Sequence, residues 1–158
     1  MNTAPAAVEI LAYAPEHQAA FRDLNHEWIT RYFVLEDLDR RMLDDPQGYI
    51  LDRGGYIFMA RHNGELVGTC ALIFEHEGVY ELAKMAVTPS AQGLGIGWLL
   101  GQAAIAKARE IGAHEVELLS NRKLAPALQL YCKLGFLEAP LPASEYQRAD
   151  IRMVLTLG

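Results

Sequence analysis

The chain has 158 residues, 51% of them hydrophobic and 22% charged, which is the composition of one soluble globular domain and leaves no room for a second core. Lys and Arg number 14 against 20 Asp and Glu, a formal charge of −6, the wrong sign for an electrostatic nucleic-acid binder. The first residues lack a basic region followed by an apolar run, and no stretch nears the roughly 20 apolar residues that span a bilayer, so a single cytoplasmic domain over 1–158 without a membrane partner is expected.

Residues 8–12 alternate apolar and polar like a first strand, and Pro15 stands where a helix can begin. From Phe21 the apolar residues Leu24, Trp28, Ile29 and Tyr32 recur three or four apart, and a second short helix runs through Leu35, Leu38, Met42 and Leu43 until Asp45-Pro46 stops it. This stretch is acid-rich, with Asp23, Glu27, Glu36, Asp37, Asp39, Asp44 and Asp45 against Arg31, Arg40 and Arg41. A hairpin follows, strands 56–60 and 66–74 joined by the turn His62-Asn63-Gly64. A third strand covers 79–87 and ends at Thr88-Pro89-Ser90. A glycine-rich turn then opens an alanine-rich helix over 98–111 that Gly112 terminates. Residues 116–119 read as a strand, 126–134 as a helix closed by Gly135, and 151–157 as a closing strand. The order β-α-α-β-β-β-α-β-α-β places antiparallel hairpins first and helical crossovers later, which predicts a mixed sheet with helices on its faces.

The segment that carries chemistry is Met85-Ala86-Val87-Thr88-Pro89-Ser90-Ala91-Gln92-Gly93-Leu94-Gly95-Ile96-Gly97. Glycines at every second position bring backbone N–H groups together without Cβ obstruction, at the positive end of the following helix, which suits a pyrophosphate. A nucleotide-hydrolase phosphate loop requires Gly-Lys-Ser/Thr, whereas Gly97 is followed by Trp98-Leu99. A dinucleotide fingerprint requires Gly-x-Gly-x-x-Gly, and neither Gly93 nor Gly95 starts that spacing. What remains is Gln-x-x-Gly-x-Gly over Gln92, Gly95 and Gly97, an acyl-CoA signature.

With these residues the sequence resembles the GNAT superfamily of N-acetyltransferases over most of its length, residues 8–157. Two local stretches carry the resemblance: Glu81-Leu82-Ala83-Lys84-Met85-Ala86-Val87 leading into the glycine turn, and Leu130-Tyr131-Cys132-Lys133-Leu134-Gly135-Phe136 closing a helix. The resemblance implies an α+β fold, a central twisted, mostly antiparallel sheet of six to seven strands flanked by about four helices. It also implies acetyl-CoA as cofactor and a primary amine, on a small molecule or a protein, as acceptor. Many members carry Asn seven residues before the motif tyrosine; here that position is Leu124, and Asn121 stands ten before it. The resemblance assigns cofactor contacts to Met85, Ala86, Val87, Gln92, Gly93, Leu94, Gly95, Ile96, Gly97 and Asn121.

Direct transfer requires a base, because alkyl amines near the lysine reference pKa of about 10.4 are mostly protonated at neutral pH. Alternation along 79–87 puts Glu81 on one face with Val79, Ala83, Met85 and Val87, an apolar row that would raise its pKa toward that of a useful base. A structural glutamate at a sheet edge, or one in a salt bridge, is the other reading. Tyr131 occupies the motif position that implies the general acid for the leaving thiolate; a packed aromatic on the apolar face of Leu128, Leu130 and Leu134 is its alternative. The end of the strand, Met85 to Val87, supplies backbone groups for the thioester carbonyl and for pairing with the pantetheine arm.

For the acceptor the resemblance points to the first helices and the loop before the last strand, which hold Trp28, Tyr32, Phe33, Tyr146 and Arg148. The acid excess favours a cationic acceptor, while Arg148 favours a carboxylate-bearing amine. Cys70 and Cys132 show neither ribbon nor disulfide pairing, and His17, His26, His62, His76 and His114 lack ligand spacing, so no metal is inferred. A non-catalytic acyl-CoA-binding module and a structural dimerisation domain are the competing functions, and a homodimer is compatible with any of the three.

Overall fold

The computed structural model describes residues 7–142 and 147–158. Among these residues backbone hydrogen bonds pair seven strands into one sheet: β1 (Glu9–Ala12), β2 (Tyr56–His62), β3 (Glu65–His76), β4 (Val79–Val87), β5 (Glu115–Ser120), β6 (Leu137–Ala139) and β7 (Ile151–Thr156). Their spatial order is β1-β2-β3-β4-β5-β7-β6. Every pair is antiparallel except β4–β5, whose parallel arrangement needs the helical crossover α3 (Ile96–Glu110). Helices α1 (Gln18–Tyr32) and α2 (Asp37–Asp44) pack on one face through Phe21, Leu24, Ile29 and Leu43. Helix α3 covers the other face through Ile96, Leu100, Ala104 and Ile105, joined there by Leu128, Tyr131 and Leu134 of α4 (Ala125–Leu134). This is the expected fold class, a mixed and mostly antiparallel sheet with α-helices on both faces.

Three local differences from the sequence reading have physical causes. Helix α3 begins at Ile96 rather than Trp98, because Gly95, at φ 76°, serves as its N-cap. A π-helical turn over Gln47–Leu51 follows the proline stop and buries Ile50. Strand β6 is three residues long with Leu137 and Glu138 exposed, so it carries no alternation that a pattern search could detect.

The fourth difference positions the site. Lys84 has φ 54°, and the β3–β4 register passes from Ala71↔Ala83 to Thr69↔Ala86, leaving Lys84 and Met85 together opposite Cys70. This is a bulge, and an extra residue reverses the phase of every side chain beyond it. The single apolar row expected along β4 is therefore corrected. Ala83 packs with the α1/α2 core, and so does Ile73, the cross-strand partner of Glu81, whereas Met85 and Val87 pack with the α3/α4 core. Strands β4 and β5 pair only over Val79–Glu81 with Glu115–Glu117, so from Leu82 onward β4 has no strand partner on that edge among the described residues.

Candidate active site

The glycine turn presents donors because its geometry denies them internal partners. Gly93 and Gly95 have φ of 86° and 76°, a conformation that other residues rarely adopt. The first helical bond runs from Leu99 N–H to the Gly95 carbonyl at 3.1 Å, and among the described residues the N–H groups of residues 93–98 donate to no backbone carbonyl. Gly97 serves a different purpose: a Cβ there would stand 3.0 Å from Leu130 Cδ2, and one at Gly101 would stand 2.5 Å from Leu134 Cδ1. These two glycines, one helical turn apart, let α4 lie close against α3 and so bring Tyr131 toward the end of β4.

The turn forms one wall of a groove of about 820 Å³, bounded by Met85, Ala86 and Val87 of β4, by Gln92, Gly93, Gly95, Ile96 and Gly97, and by Leu130 and Tyr131 of α4. Lys123 and Lys133 add positive charge to it. Ala86 and Ile96 bury their side chains in the two cores and offer only backbone to the groove. Leu94 turns its side chain to solvent, 49% exposed, and does not line the groove. A long cradle with convergent free donors, an unpaired strand edge and two lysines fits a molecule with a pyrophosphate at one end and an amide-bearing arm at the other.

At the inner end of the groove a smaller pocket of about 100 Å³ opens between β4 and β5. Trp28, Met85, Leu124 and Tyr131 border both spaces, and Glu81 lines the smaller one. Where β4 and β5 part, Glu81 on the α1/α2 side and Tyr131 on the α3/α4 side reach the same pocket. Burial pushes Glu81 up to about 8, with a hydrogen bond and the charge of Glu75 acting in the same direction, Lys84 against it, and Glu117 again upward. Burial, with Cys70 nearby, pushes the Tyr131 hydroxyl up to about 12. The tyrosine therefore stays protonated across the working range, and its hydroxyl has no hydrogen-bond partner among the described residues.

Arg148 also borders the smaller pocket, but its guanidinium is engaged by Asp39 at 2.7 and 2.8 Å and by Glu36 at 3.0 Å. Lys84 Nζ reaches the same Asp39. Burial works to raise the Asp39 pKa, yet the hydrogen bonds from Arg148 and the charge of Lys84 outweigh it and hold the carboxyl well below its usual range. Part of the acid excess is thus internal: Glu36 and Asp39 balance the buried Lys84 and the half-buried Arg148, while Asp23 and Asp37 are solvated. Trp28 and Phe33 line the smaller pocket and Tyr32 lines the groove. Asn121 lies at the smaller pocket rather than in the groove, donating to the Arg148 carbonyl at 2.7 Å and accepting from Lys123 N–H at 3.0 Å. Tyr146 lies outside the described residues.

A family model described as the acetyltransferase (GNAT) family matches residues 15–136. The chain belongs to the GNAT acetyltransferase family. An uncharacterised N-acetyltransferase of Mycobacterium tuberculosis strain H37Rv is 34% identical over 125 residues, covering 79% of this chain and 70% of that protein. The fold matches that of a GNAT-family acetyltransferase from Staphylococcus aureus Mu50 with a TM-score of 0.87 at 22% identity, over 96% of this chain and 100% of that one. A putative acetyltransferase from Salmonella typhimurium, solved with acetyl-CoA, aligns with a TM-score of 0.77 at 20% identity, over 97% of this chain and 95% of that one.

Several residues of this GNAT site carried no sequence signal. Lys84 looks like one more polar position in an alternating strand, and Asp39 like one of many solvated helical acids. Lys123 donates to the Tyr32 carbonyl at 2.8 Å and sits 4.0 Å from the Phe33 ring centroid, tying the end of α1 to the loop before α4. That contact joins residues 91 apart and has no local pattern. Glu75 and Glu117 flank Glu81 only once the register of three strands is known.

Proposed function

We propose that the protein transfers an acetyl group from acetyl-CoA to a primary amine by direct attack in a ternary complex, with Glu81 as general base and Tyr131 as general acid. The observation that carries this reading is the meeting of Glu81 and Tyr131 in one pocket, through the gap between β4 and β5, at the inner end of a groove floored by free N–H groups. Backbone N–H groups of 93–98 would hold the pyrophosphate, Lys123 and Lys133 would add charge there, and the unpaired edge of β4 would pair with the pantetheine amides. When bound, acetyl-CoA supplies an activated acetyl group whose leaving group is a thiolate.

An alkylammonium near pKa 10.4 leaves only about one molecule in 10³ uncharged at neutral pH, so a base inside the pocket matters. The raised pKa of Glu81 matches it to that task, because a carboxylate of ordinary acidity accepts a proton from an ammonium far less readily. Tyr131 Oη would give its proton to the sulfur as the thiolate departs, and its protonated resting state supports that role. The aromatic residues Trp28 and Phe33 would exclude water around the incoming amine. Acid excess is a weak guide to the acceptor, since Glu36 and Asp39 are matched inside the protein, and the Arg148 guanidinium is engaged by the same two acids. An acyl-CoA donor fits a cytoplasmic setting, and among the described residues no helix is long and apolar enough to cross a membrane.

The test is a screen of primary amines for CoA release, with acetyl-CoA binding followed by calorimetry. Glu81→Gln should lower turnover roughly 10²- to 10⁴-fold while acetyl-CoA binds as before, and should remove the acidic limb of the pH–rate profile. Binding of acetyl-CoA with no CoA release for any amine would favour a non-catalytic acyl-CoA module. An active Glu81→Gln variant with the parental acidic limb would assign the proton to another group.

A further inference from the structure

Glu81 lies in a row of carboxylates that runs across the sheet. Its parallel neighbour on β5 is Glu117, and its antiparallel partner on β3 is Ile73, two residues before Glu75. The β3–β4 register shifts between Phe74 and His76, so Glu75 is an extra residue in its strand and stands beside Glu81. The two carboxyls are joined by a side-chain hydrogen bond, and Glu75 is exposed to solvent. Glu117 is committed elsewhere: its Oε2 accepts from Arg152 Nε at 2.8 Å and lies 2.7 Å from Arg152 Nη2. The other charged groups around Glu81 are Lys84 on its own strand and Arg148 across the pocket, while α1 contributes Asn25, Trp28 and Ile29, none of them charged.

We propose that Glu75 is the outlet by which the proton taken up by Glu81 leaves the site, the two carboxyls sharing one proton at rest. The inference rests on Glu81 being the base and adds a route for what it collects. Two carboxyl groups can hydrogen-bond to each other only if one of them is protonated. In the resting pair the proton lies on Glu81, whose burial favours the neutral form, and its passage across the shared hydrogen bond to exposed Glu75 leaves the Glu81 carboxylate facing the pocket. Glu75 then releases that proton to water, and Glu81 accepts one proton from the ammonium, which leaves the amine neutral and Glu81 protonated as at the start. One proton has moved from amine to solvent, and the pair has its starting charge again. Such a route serves the site because Glu81 lines the pocket that the amine would occupy, whereas Glu75 is exposed to solvent.

Glu75→Gln tests the outlet, since an amide keeps a hydrogen bond to Glu81 but neither takes up nor releases a proton in this pH range. With the best amine from the screen, kcat should fall about tenfold, the acidic limb should move to lower pH as Glu81 loses an acidic neighbour, and the KM for acetyl-CoA should stay as it was. Imidazole buffer should restore part of the lost kcat. Carboxyl ¹³C NMR of glutamate-labelled protein, which needs no acceptor, should show Glu75 and Glu81 titrating in two coupled steps in the parent and Glu81 in one lower step in the variant. Parental kcat and limb in Glu75→Gln overturn the outlet, and so does a shifted limb with unchanged kcat, which would leave Glu75 as a neighbour that only sets the Glu81 charge. The underlying base reading fails separately, if Glu81→Gln retains the acidic limb.

Discussion

Lys84 Nζ lies 2.8 Å from Asp39 Oδ1, and the two side chains are 4% and 0% exposed. The lysine is also the bulged residue of β4, so this ion pair fastens the point where the strand changes phase to helix α2. Removing one partner of a buried pair leaves an uncompensated charge, which costs more than the pair contributes. Asp39→Asn should therefore destabilise the protein by about 3–5 kcal/mol at pH 7, read by urea denaturation. Because the folded Asp39 pKa lies below its ordinary value, its contribution is complete above the unfolded value near 4 and is lost as pH falls further, so parent and variant should converge in acid. A difference that stays constant down to pH 3 would show that shape, not charge, holds α2.

Glu81 should have the opposite linkage. Its pKa is about 8 in the folded protein against about 4.3 in an unfolded chain, so between those values the native state binds more protons. Stability then falls as pH rises through that window. Glu81→Gln, which cannot ionise, should gain on the parent as pH rises from 5 to 9 in thermal melts. Parallel pH dependences in the two proteins would mean that Glu81 is solvated rather than desolvated.

Gly95 caps α3 with φ 76°, where a β-branched side chain costs at least about 1–2 kcal/mol. Gly95→Val should keep the sheet but weaken acetyl-CoA at least about tenfold in calorimetry, because the free N–H groups turn away from their common focus. Parental affinity in a folded variant would move the pyrophosphate off this turn.

Tyr131→Phe keeps the ring that packs edge-on to Phe136 at 6.2 Å and removes only the hydroxyl. Turnover should fall roughly 10²-fold while acetyl-CoA affinity stays within about twofold. Loss of binding and turnover together would make Tyr131 a wall of the groove instead of a proton donor.

Much of the fold is legible in the sequence because apolar periodicity and glycine placement are local signals. The hairpin at Asn63-Gly64, the turn into α3 and the stop at Gly135 all follow from residues within a few positions of each other. The bulge at Lys84 is not legible, since a positive φ usually announces itself with glycine and here a lysine takes it, held by an acid 45 residues away. For the same reason alternation puts Glu81 with Met85 and Val87, on a face that the structure divides between two cores. Asn121 illustrates a second limit: its side chain is used by the backbone of Arg148, a partner 27 residues downstream that no motif spacing anticipates.

Because the odd-numbered residues of β4 face one core before Lys84 and the opposite core after it, the strand has no slack in length. A loop absorbs an inserted or deleted residue locally, but here a single-residue deletion would turn Met85 and Val87 toward the α1/α2 layer and Ala86 toward α3. Insertions and deletions should therefore be tolerated in the turns at Gly64 and Gly78 at either end of β3 and rejected throughout β4, which makes this strand the ruler against which the rest of the domain is set.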